Sequence, residues 1–179
     1  MLSKCFVVLF SVCCLSTFGA DTTTQKSAGN DNTSKFTTIK ADKFIFSYAV
    51  DSVNLIAKLS YPTAGWVAVG FNPTRMMKGG NFILATVIDG KPVLSDDYGV
   101  SEWSHKPDTV IGGKNNIISG DCTIKDGCMI MRFTIPLNSG DAKDVVLEKG
   151  KPIKVIFAEG KKPNLSSIHS NLSKTNITL

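Results

Sequence analysis

Apolar and polar residues alternate along much of the chain, and this pattern predicts β-strands. In KFIFSYAV (43–50) large apolar side chains occupy every second position, which is the period of a strand with one buried face. The segment VNLIAKLS (53–60) repeats this pattern. Two continuous apolar runs, WVAVGF (66–71) and FILATVI (82–88), have the length of strands and predict central strands buried on both faces.

Further strand signals follow at near-regular spacing. An Asp89-Gly90 turn leads into 91–95 and predicts a hairpin, and apolar runs recur at 128–135 and 152–160. Apolar positions near the C-terminus predict a returning terminal strand. Helical periodicity is hard to find, and Gly, Asn, Asp and Pro separate the runs. Together these features predict an all-β sandwich.

The first 20 residues have the layout of a cleaved signal peptide. Lys4 precedes an apolar run that is too short to span a membrane, and small residues close the segment. Residues 21–35 are polar and poor in apolar side chains, which predicts a linker. We therefore expect a signal peptide at 1–20 and one exported domain at 36–179, secreted or periplasmic, with no membrane span.

The chain has 179 residues and a formal net charge of +5 at pH 7. Its basic residues are scattered, so nucleic-acid binding is disfavoured, although mild basicity could attract an acidic redox partner. The hydrolase and nucleotide-binding motifs G-x-S-x-G, H-E-x-x-H and G-x-G-x-x-G are absent. Asp96 and Asp97 are adjacent, and on a strand they should point to opposite faces, which argues against an acid–base pair.

Only two of the five cysteines, Cys122 and Cys128, lie beyond the signal segment. They flank a turn-prone Asp-Gly pair, and an even pair in an exported chain predicts a disulfide across a hairpin. A metal site is the alternative, but two cysteines with no histidine nearby supply too few ligands. No C-x-x-C-H is present, so a haem could not be attached covalently in the c-type manner.

Met76 and Met77 lie in a loop between a turn and a Gly-Gly pair. Two large apolar residues in a loop need something to bury them, and the simplest interpretation is a cap over the end of the core. Met129 and Met131 differ, because they alternate within a strand and are expected to fill the core. A thioether and an imidazole are also a sufficient axial pair for a haem iron.

The chain has two histidines, His105 and His169. His105 lies in a polar loop beside Trp103 and is expected to be exposed, although a loop histidine can also act as a ligand or an acid–base group. His169 lies among polar residues before the returning terminal strand. Spacing alone singles out neither histidine.

The order of several motifs resembles a DOMON domain, in the haem-binding branch found in the cytochrome domain of cellobiose dehydrogenase and in plant apoplastic cytochromes. In sequence order, the motifs are GWVAVGFNP, MMKGGNFILA, LSDDYGV, FTIPLNSGDAKD, VIFAEG and IHSN. The similarity runs from about residue 43 to residue 179. It implies an immunoglobulin-like antiparallel β-sandwich that holds non-covalent haem b between a methionine and a histidine.

The resemblance also implies which residues hold the haem. The family's methionine precedes one residue, a small pair and an acid or amide, and Met77 has this register whereas Met76 is one residue off. His169 has the family's spacing after the A-x-G strand end, and His105 does not. Met77 and His169 are thus the expected axial iron ligands. The residues expected to pack around the macrocycle are Met76, Trp66, Phe71 and Phe82.

Two protein ligands would leave no open position on the iron for oxygen activation, so we expect a single-electron carrier and not an enzyme. Its redox partner is expected to be a separate protein, since no flavin dehydrogenase domain follows in the sequence. The alternative is a haem-free module that binds a sugar or a protein. Sequons for N-glycosylation begin at Asn32, Asn164, Asn171 and Asn176.

Overall fold

The computed structural model describes residues 35–179, which contain eleven β-strands and one short 3₁₀ helix. The strands are β1 (Thr37–Ala41), β2 (Phe44–Val50), β3 (Asn54–Tyr61), β4 (Trp66–Phe71), β5 (Asn81–Ile88), β6 (Lys91–Tyr98), β7 (Lys106–Pro107), β8 (Ser119–Lys125), β9 (Cys128–Pro136), β10 (Pro152–Gly160) and β11 (Asn171–Thr178). The 3₁₀ helix, η1 (Asp108–Val110), directly follows β7.

The strands form two antiparallel sheets. The first sheet has five strands in the order β1-β2-β3-β9-β8, and the second has six in the order β11-β10-β4-β5-β6-β7. This architecture confirms the predicted all-β sandwich. The apolar pattern gave the bounds of β4 and β10 correctly, but it did not indicate β1, β7 or β8, whose side chains are mostly exposed.

The main hydrophobic core lies between the two sheets. Phe157 of the second sheet stacks on Phe44 of the first with 5.5 Å between ring centroids, and it lies 5.4 Å from the ring of Phe46. Met129 and Met131 are fully buried in this core, which confirms the expectation that they fill it. Aromatic rings from both sheets, together with the two methionines of the first sheet, thus join the two layers.

The second sheet buries side chains on both of its faces, and this property positions the candidate site. In β4, Val67 and Val69 belong to the main core, whereas Trp66 and Ala68 belong to a separate apolar cluster. Successive residues of a strand point to opposite faces, so the separate cluster lies on the outer face of the sheet. The prediction that β4 is buried on both faces is confirmed.

The expected disulfide between Cys122 and Cys128 is wrong, since both thiols are free. Cys122 is opposite Met131 and points into the core, whereas Cys128 is opposite Lys125 and points to the other face. The two cysteines are also offset by three positions along the strands, roughly 10 Å, while a disulfide needs Cα atoms within about 7 Å. Cys122 instead donates its thiol hydrogen to the Thr86 carbonyl oxygen at 3.0 Å.

Among residues 35–179, no helix has the length and apolar character needed to cross a membrane. The expected signal peptide at 1–20 lies outside the described residues, as does all but the last residue of the expected linker at 21–35.

Candidate functional site

An apolar cluster covers the outer face of the second sheet. Its buried members, on β4 and β5, are Trp66, Ala68, Phe82 and Leu84. The partly buried side chains that pack against them are Met77, Ile156, Ala158 and Leu165. We call these eight residues the outer-face cluster. Met77 and Leu165 come from loops, so two loops fold over this face of the sheet.

The loop between β4 and β5 carries Met77 onto the outer face. The Met77 N–H donates to the Glu102 carbonyl oxygen at 3.3 Å, and the Gly79 N–H donates to the Gly99 carbonyl oxygen at 2.8 Å. A side chain at Gly99 has no room, because an added Cβ would lie 1.7 Å from the Met77 carbonyl oxygen. The loop is therefore anchored by close backbone contacts to the segment that follows β6.

Met76 and Met77 have opposite surroundings. Met76 has a φ of 49°, in the left-handed region, and its exposed fraction is 48%. Met77 is half-buried and packs against the outer-face cluster. The left-handed residue turns the chain sharply, which separates the directions of the two side chains. Met77 is therefore the methionine whose side chain contacts the cluster, and Met76 faces solvent.

The loop between β10 and β11 folds over the same face. Leu165 packs on the outer-face cluster, and the Trp66 indole N–H donates to the Ser167 hydroxyl oxygen at 2.9 Å. His169 follows two residues later and is exposed. The next residue, Ser170, donates its N–H to a β10 carbonyl oxygen at 2.7 Å. His169 thus lies between two anchored points of a loop that touches the outer-face cluster.

The two loops reach the outer face from opposite ends of β4. Gly160, which ends β10, is opposite Trp66, where β4 begins, so the His169 loop leaves from that end. The Met77 loop follows Phe71, where β4 ends. The six residues of β4 span roughly 20 Å at about 3.3 Å per residue. Loops placed in this way can present ligands from two sides to a group held between them.

His105 also lies on the outer face, which the sequence did not indicate. Its ring stacks on Phe82 with 6.0 Å between centroids, and its Nδ1 is 2.6 Å from Oδ2 of the buried Asp97. Asp97 accepts a second hydrogen bond from the Ser95 hydroxyl. A carboxylate bound to one ring nitrogen leaves the other nitrogen free, an arrangement common in metal-binding histidines. His105 is therefore only partly exposed and is a second imidazole near Met77.

The register of the β5–β6 hairpin explains the position of His105. Asp97 is opposite Phe82 on the outer face, and Asp96 is opposite Ile83, which belongs to the main core. The prediction that Asp96 and Asp97 point to opposite faces is confirmed. A carboxylate buried beside Phe82 needs a polar partner, which His105 supplies. Strand period alone could have placed Asp97 there, but not the loop that brings His105 to it.

Of the three aromatic residues expected around a cofactor, the structure brings only two together. Trp66 and Phe82 belong to the outer-face cluster, whereas Phe71 is fully buried in the main core, 6.4 Å from the ring of Phe133. Phe71 lies five residues after Trp66 on the same strand, and an odd offset places a side chain on the opposite face. Phe71 therefore cannot contact a molecule on the outer face.

The outer face suits a flat apolar cofactor whose metal takes sulfur and nitrogen ligands. Gly70 leaves space that the Phe82 ring occupies, since an added Cβ would lie 2.3 Å from that ring. Ala68 and Ala158 have small side chains that project little from the sheet, and Trp66 supplies a second aromatic side chain. A thioether and an imidazole are the ligand pair of low-spin cytochrome haems. The side-chain types on this face therefore agree with the haem that the resemblance implies, and its buried members, each at most 5% exposed, would have to separate to admit it.

Comparison with known proteins agrees with this fold. A family model for the DOMON domain matches residues 40–160, more than half of the chain. No curated protein matches the sequence at a significant level.

Two solved structures are similar. The cytochrome b domain of pyranose dehydrogenase from Coprinopsis cinerea has a TM-score of 0.57 and 13% identity, over 79% of this chain and 80% of that chain. The cytochrome domain of cellobiose dehydrogenase from Myriococcum thermophilum has a TM-score of 0.55 and 10% identity, over 80% of this chain and 81% of that chain. At these identities the likeness shows a shared fold. With the match of the family model, the chain belongs to the DOMON domain family.

Proposed function

We propose that this protein is an exported b-type cytochrome that carries single electrons and binds haem b non-covalently on the outer face of its second sheet. Met77 and His169 would hold the haem iron, and Trp66 and Phe82 would pack against the macrocycle. One observation carries the proposal: the loops that bear Met77 and His169 fold over the same apolar cluster from opposite ends of β4.

Each ligand loop is held by contacts that do not involve the ligand side chain. The backbone bond from Met77 to Glu102 holds one loop, and the hydrogen bond from Trp66 to Ser167 holds the other. Such contacts reduce the conformational entropy that binding would otherwise have to offset. The apolar cluster between the loops would exclude water, and the thioether of Met77 would favour the reduced iron and raise its potential.

When bound, haem would supply a one-electron iron couple, and this chain would supply its surroundings. Because Met77 and His169 would both be taken up in holding the iron, electron transfer is favoured over catalysis. We propose that the electron passes to or from a separate redox protein. Without Lys4 of the expected signal peptide, the formal net charge falls from +5 to +4, which still suits an acidic partner.

The test is the absorption spectrum of the full chain, produced with haem supplied during expression. We expect a sharp Soret band and, after reduction with dithionite, the split α and β bands of low-spin iron. Haem uptake by the purified apoprotein should saturate at one haem per chain. A well-folded but colourless protein that does not take up added hemin would contradict the proposal.

A haem-free module that binds a sugar or a protein is the second candidate, and Trp103 is the observation in its favour. Trp103 is 73% exposed in the loop after β6, and exposed aromatic rings are common at binding surfaces. This candidate predicts that a colourless protein binds a glycan or protein ligand, and that Trp103→Ala abolishes this binding. A haem-loaded protein whose spectrum is unaffected by Trp103→Ala would favour the cytochrome.

A further inference from the structure

Three aspartate side chains meet on the core side of the second sheet. They are Asp96 of β6, Asp108 at the start of η1, and Asp144 in the loop between β9 and β10. One carboxylate oxygen from each lies within 4.8 Å of the others. Asp96 is 3% exposed and Asp108 is fully buried. We call these three residues the aspartate cluster.

Several buried oxygens at this cluster have no hydrogen-bond partner. Both carboxylate oxygens of Asp108 are unpaired, and so is Oδ1 of Asp96. Asn81 is only 5% exposed, and its amide N–H donates to Asp144 Oδ1 at 2.6 Å while its own Oδ1 is buried and unpaired. These atoms are acceptors, so what they lack is a donor or a cation. Unpaired carboxylate oxygens in the aspartate cluster, with an unpaired amide oxygen on a residue bound to Asp144, point to a cation.

The described residues, 35–179, provide little compensation for the negative charge. Neither of the ion pairs found among them involves the aspartate cluster. Asn116 donates its backbone N–H to Asp96 at 2.8 Å and its side-chain amide to Asp144 at 2.7 Å, which leaves Asp108 without a donor. Burial, with repulsion from neighbouring acids, raises the pKa of Asp96 to about 7 and that of Asp108 to about 8.

We infer that the aspartate cluster is a structural calcium site, with Asp96, Asp108 and Asp144 as carboxylate ligands and the Asn81 amide oxygen as a neutral ligand. All of these donors are oxygens, which calcium and magnesium prefer, whereas zinc and copper prefer nitrogen and sulfur. Calcium–oxygen bonds of about 2.3–2.6 Å place opposite ligands up to about 5 Å apart, which accommodates oxygens within 4.8 Å of one another. Magnesium bonds of about 2.0–2.1 Å require a tighter set.

The position of the site indicates what calcium would do. The ligands come from four separate segments: the start of β5, β6, η1 and the loop between β9 and β10. Asn81 and Asp96 are each followed by an outer-face residue, Phe82 and Asp97. A calcium ion would therefore join four segments directly behind the wall that carries the outer-face cluster. This inference does not depend on haem, since the ligands lie on the other face of the sheet.

The experiment uses the full chain, depleted of divalent cations with a chelator and then titrated with calcium chloride. Direct binding is measured by isothermal titration calorimetry, with one site per chain expected. The melting temperature should rise by about 5–10 °C when calcium is present at about 100 times its Kd. Asp108→Asn removes one ligand charge without changing shape, and it should abolish the rise while leaving the calcium-free protein at least as stable as the wild type.

The matched control is Asp89→Asn, which changes an exposed aspartate at a hairpin turn and should retain the full calcium response. No calcium binding by the wild type, or an equal rise in Asp108→Asn, would overturn the inference. A larger response to magnesium than to calcium would overturn the assignment to calcium. If Asp108→Asn does not fold, Asp96→Asn provides the same comparison.

Discussion

At the scale of single residues, one left-handed backbone conformation separates the two adjacent methionines. Met76 adopts a φ of 49° and is 48% exposed, so the chain turns there and Met77 contacts the outer-face cluster. The two histidines differ in their contacts. His105 is bound to Asp97 and stacked on Phe82, whereas His169 is exposed on a loop. Met76 can therefore serve as the control for variants of Met77, and His105 as the control for variants of His169.

The first prediction concerns the methionine ligand. Met77→Ala should remove the low-spin spectrum of the haem-loaded protein, because alanine has no atom that can bind iron. Met76→Ala should leave the spectrum unchanged and change the free energy of unfolding by less than about 0.5 kcal/mol, since the side chain faces solvent. Absorption and magnetic circular dichroism spectra would distinguish the variants. A lost low-spin spectrum in Met76→Ala alone would transfer the ligand role to Met76.

The second prediction concerns the histidine ligand. His169→Ala should lose the low-spin spectrum with little effect on the stability of the apoprotein, because the side chain is exposed. His105→Ala should keep the spectrum but lower the free energy of unfolding by about 1–3 kcal/mol, because it removes the partner of Oδ2 of the buried Asp97 and leaves only the Ser95 hydroxyl bound to that carboxylate. Spectra and chemical denaturation measure the two effects. The reverse pattern would make His105 the ligand.

At the scale of elements, β4 lies between the two loops that carry Met77 and His169. All six of its residues are buried; the Met77 loop follows its C-terminal end, and the His169 loop leaves β10 opposite its N-terminal end. The loop that carries Met77 has no regular strand pairing along its length and depends on the segment after β6 for its anchor. Its position therefore depends on the close backbone approach at Gly99.

The third prediction tests that anchor. Gly99→Ala would place a Cβ 1.7 Å from the Met77 carbonyl oxygen, so the loop must move and haem affinity should fall by at least tenfold. Titration of the apoprotein with hemin measures this affinity. Gly90→Ala is the control, because that turn residue has a φ of 72° with no atom near an added Cβ. Gly90→Ala should lower the free energy of unfolding by about 1 kcal/mol and leave the affinity for hemin unchanged. Equal affinities in both variants would show that the anchor is dispensable.

At the scale of the whole molecule, the second sheet carries different chemistry on its two faces. Its outer face has the apolar cluster with Met77, and its core face has the aspartate cluster beside the main core. Adjacent residues on one strand serve the two faces, since Asp97 binds His105 and Asp96 belongs to the aspartate cluster. One sheet can therefore support both proposed sites without either competing for the same side chains.

The fourth prediction is the pH dependence of stability in protein freed of divalent cations. Aspartate titrates near pH 4 in unfolded chains, whereas burial raises the pKa of Asp96 to about 7 and that of Asp108 to about 8. Between these values the folded state binds more protons, so the free energy of unfolding should fall as pH rises from about 4 to 8. The neighbouring acids Asp97, Asp141 and Asp144 add to the repulsion.

Calorimetry of the calcium-depleted protein at pH 5.5 and pH 8 measures this effect. The double variant with Asp96→Asn and Asp108→Asn should show a flatter dependence, because its amides do not titrate in this range. A wild-type stability that rises over this range in the absence of cations would contradict the prediction.

The sequence by itself determined the class of the fold, because strand period is a local property. The alternation at 43–50 and the apolar runs at 66–71 and 82–88 correspond to β2, β4 and β5. Both apolar runs are buried on both faces, except for the last two residues of the second. The order of motifs also led to the family that the chain belongs to. The same strand period, applied to β4, also predicts that Phe71 lies on the face opposite Trp66, where it packs in the main core.

Only the tertiary structure decided which distant residues meet. The hairpin register placed Cys122 and Cys128 on opposite faces, and the path of a loop brought His105 to Asp97. The aspartate cluster gathers residues 96, 108 and 144, which no local pattern relates. The physical reason is that local sequence sets the direction of each side chain along a strand. Contacts between segments depend instead on strand order and loop paths, which follow from the packing of the whole chain.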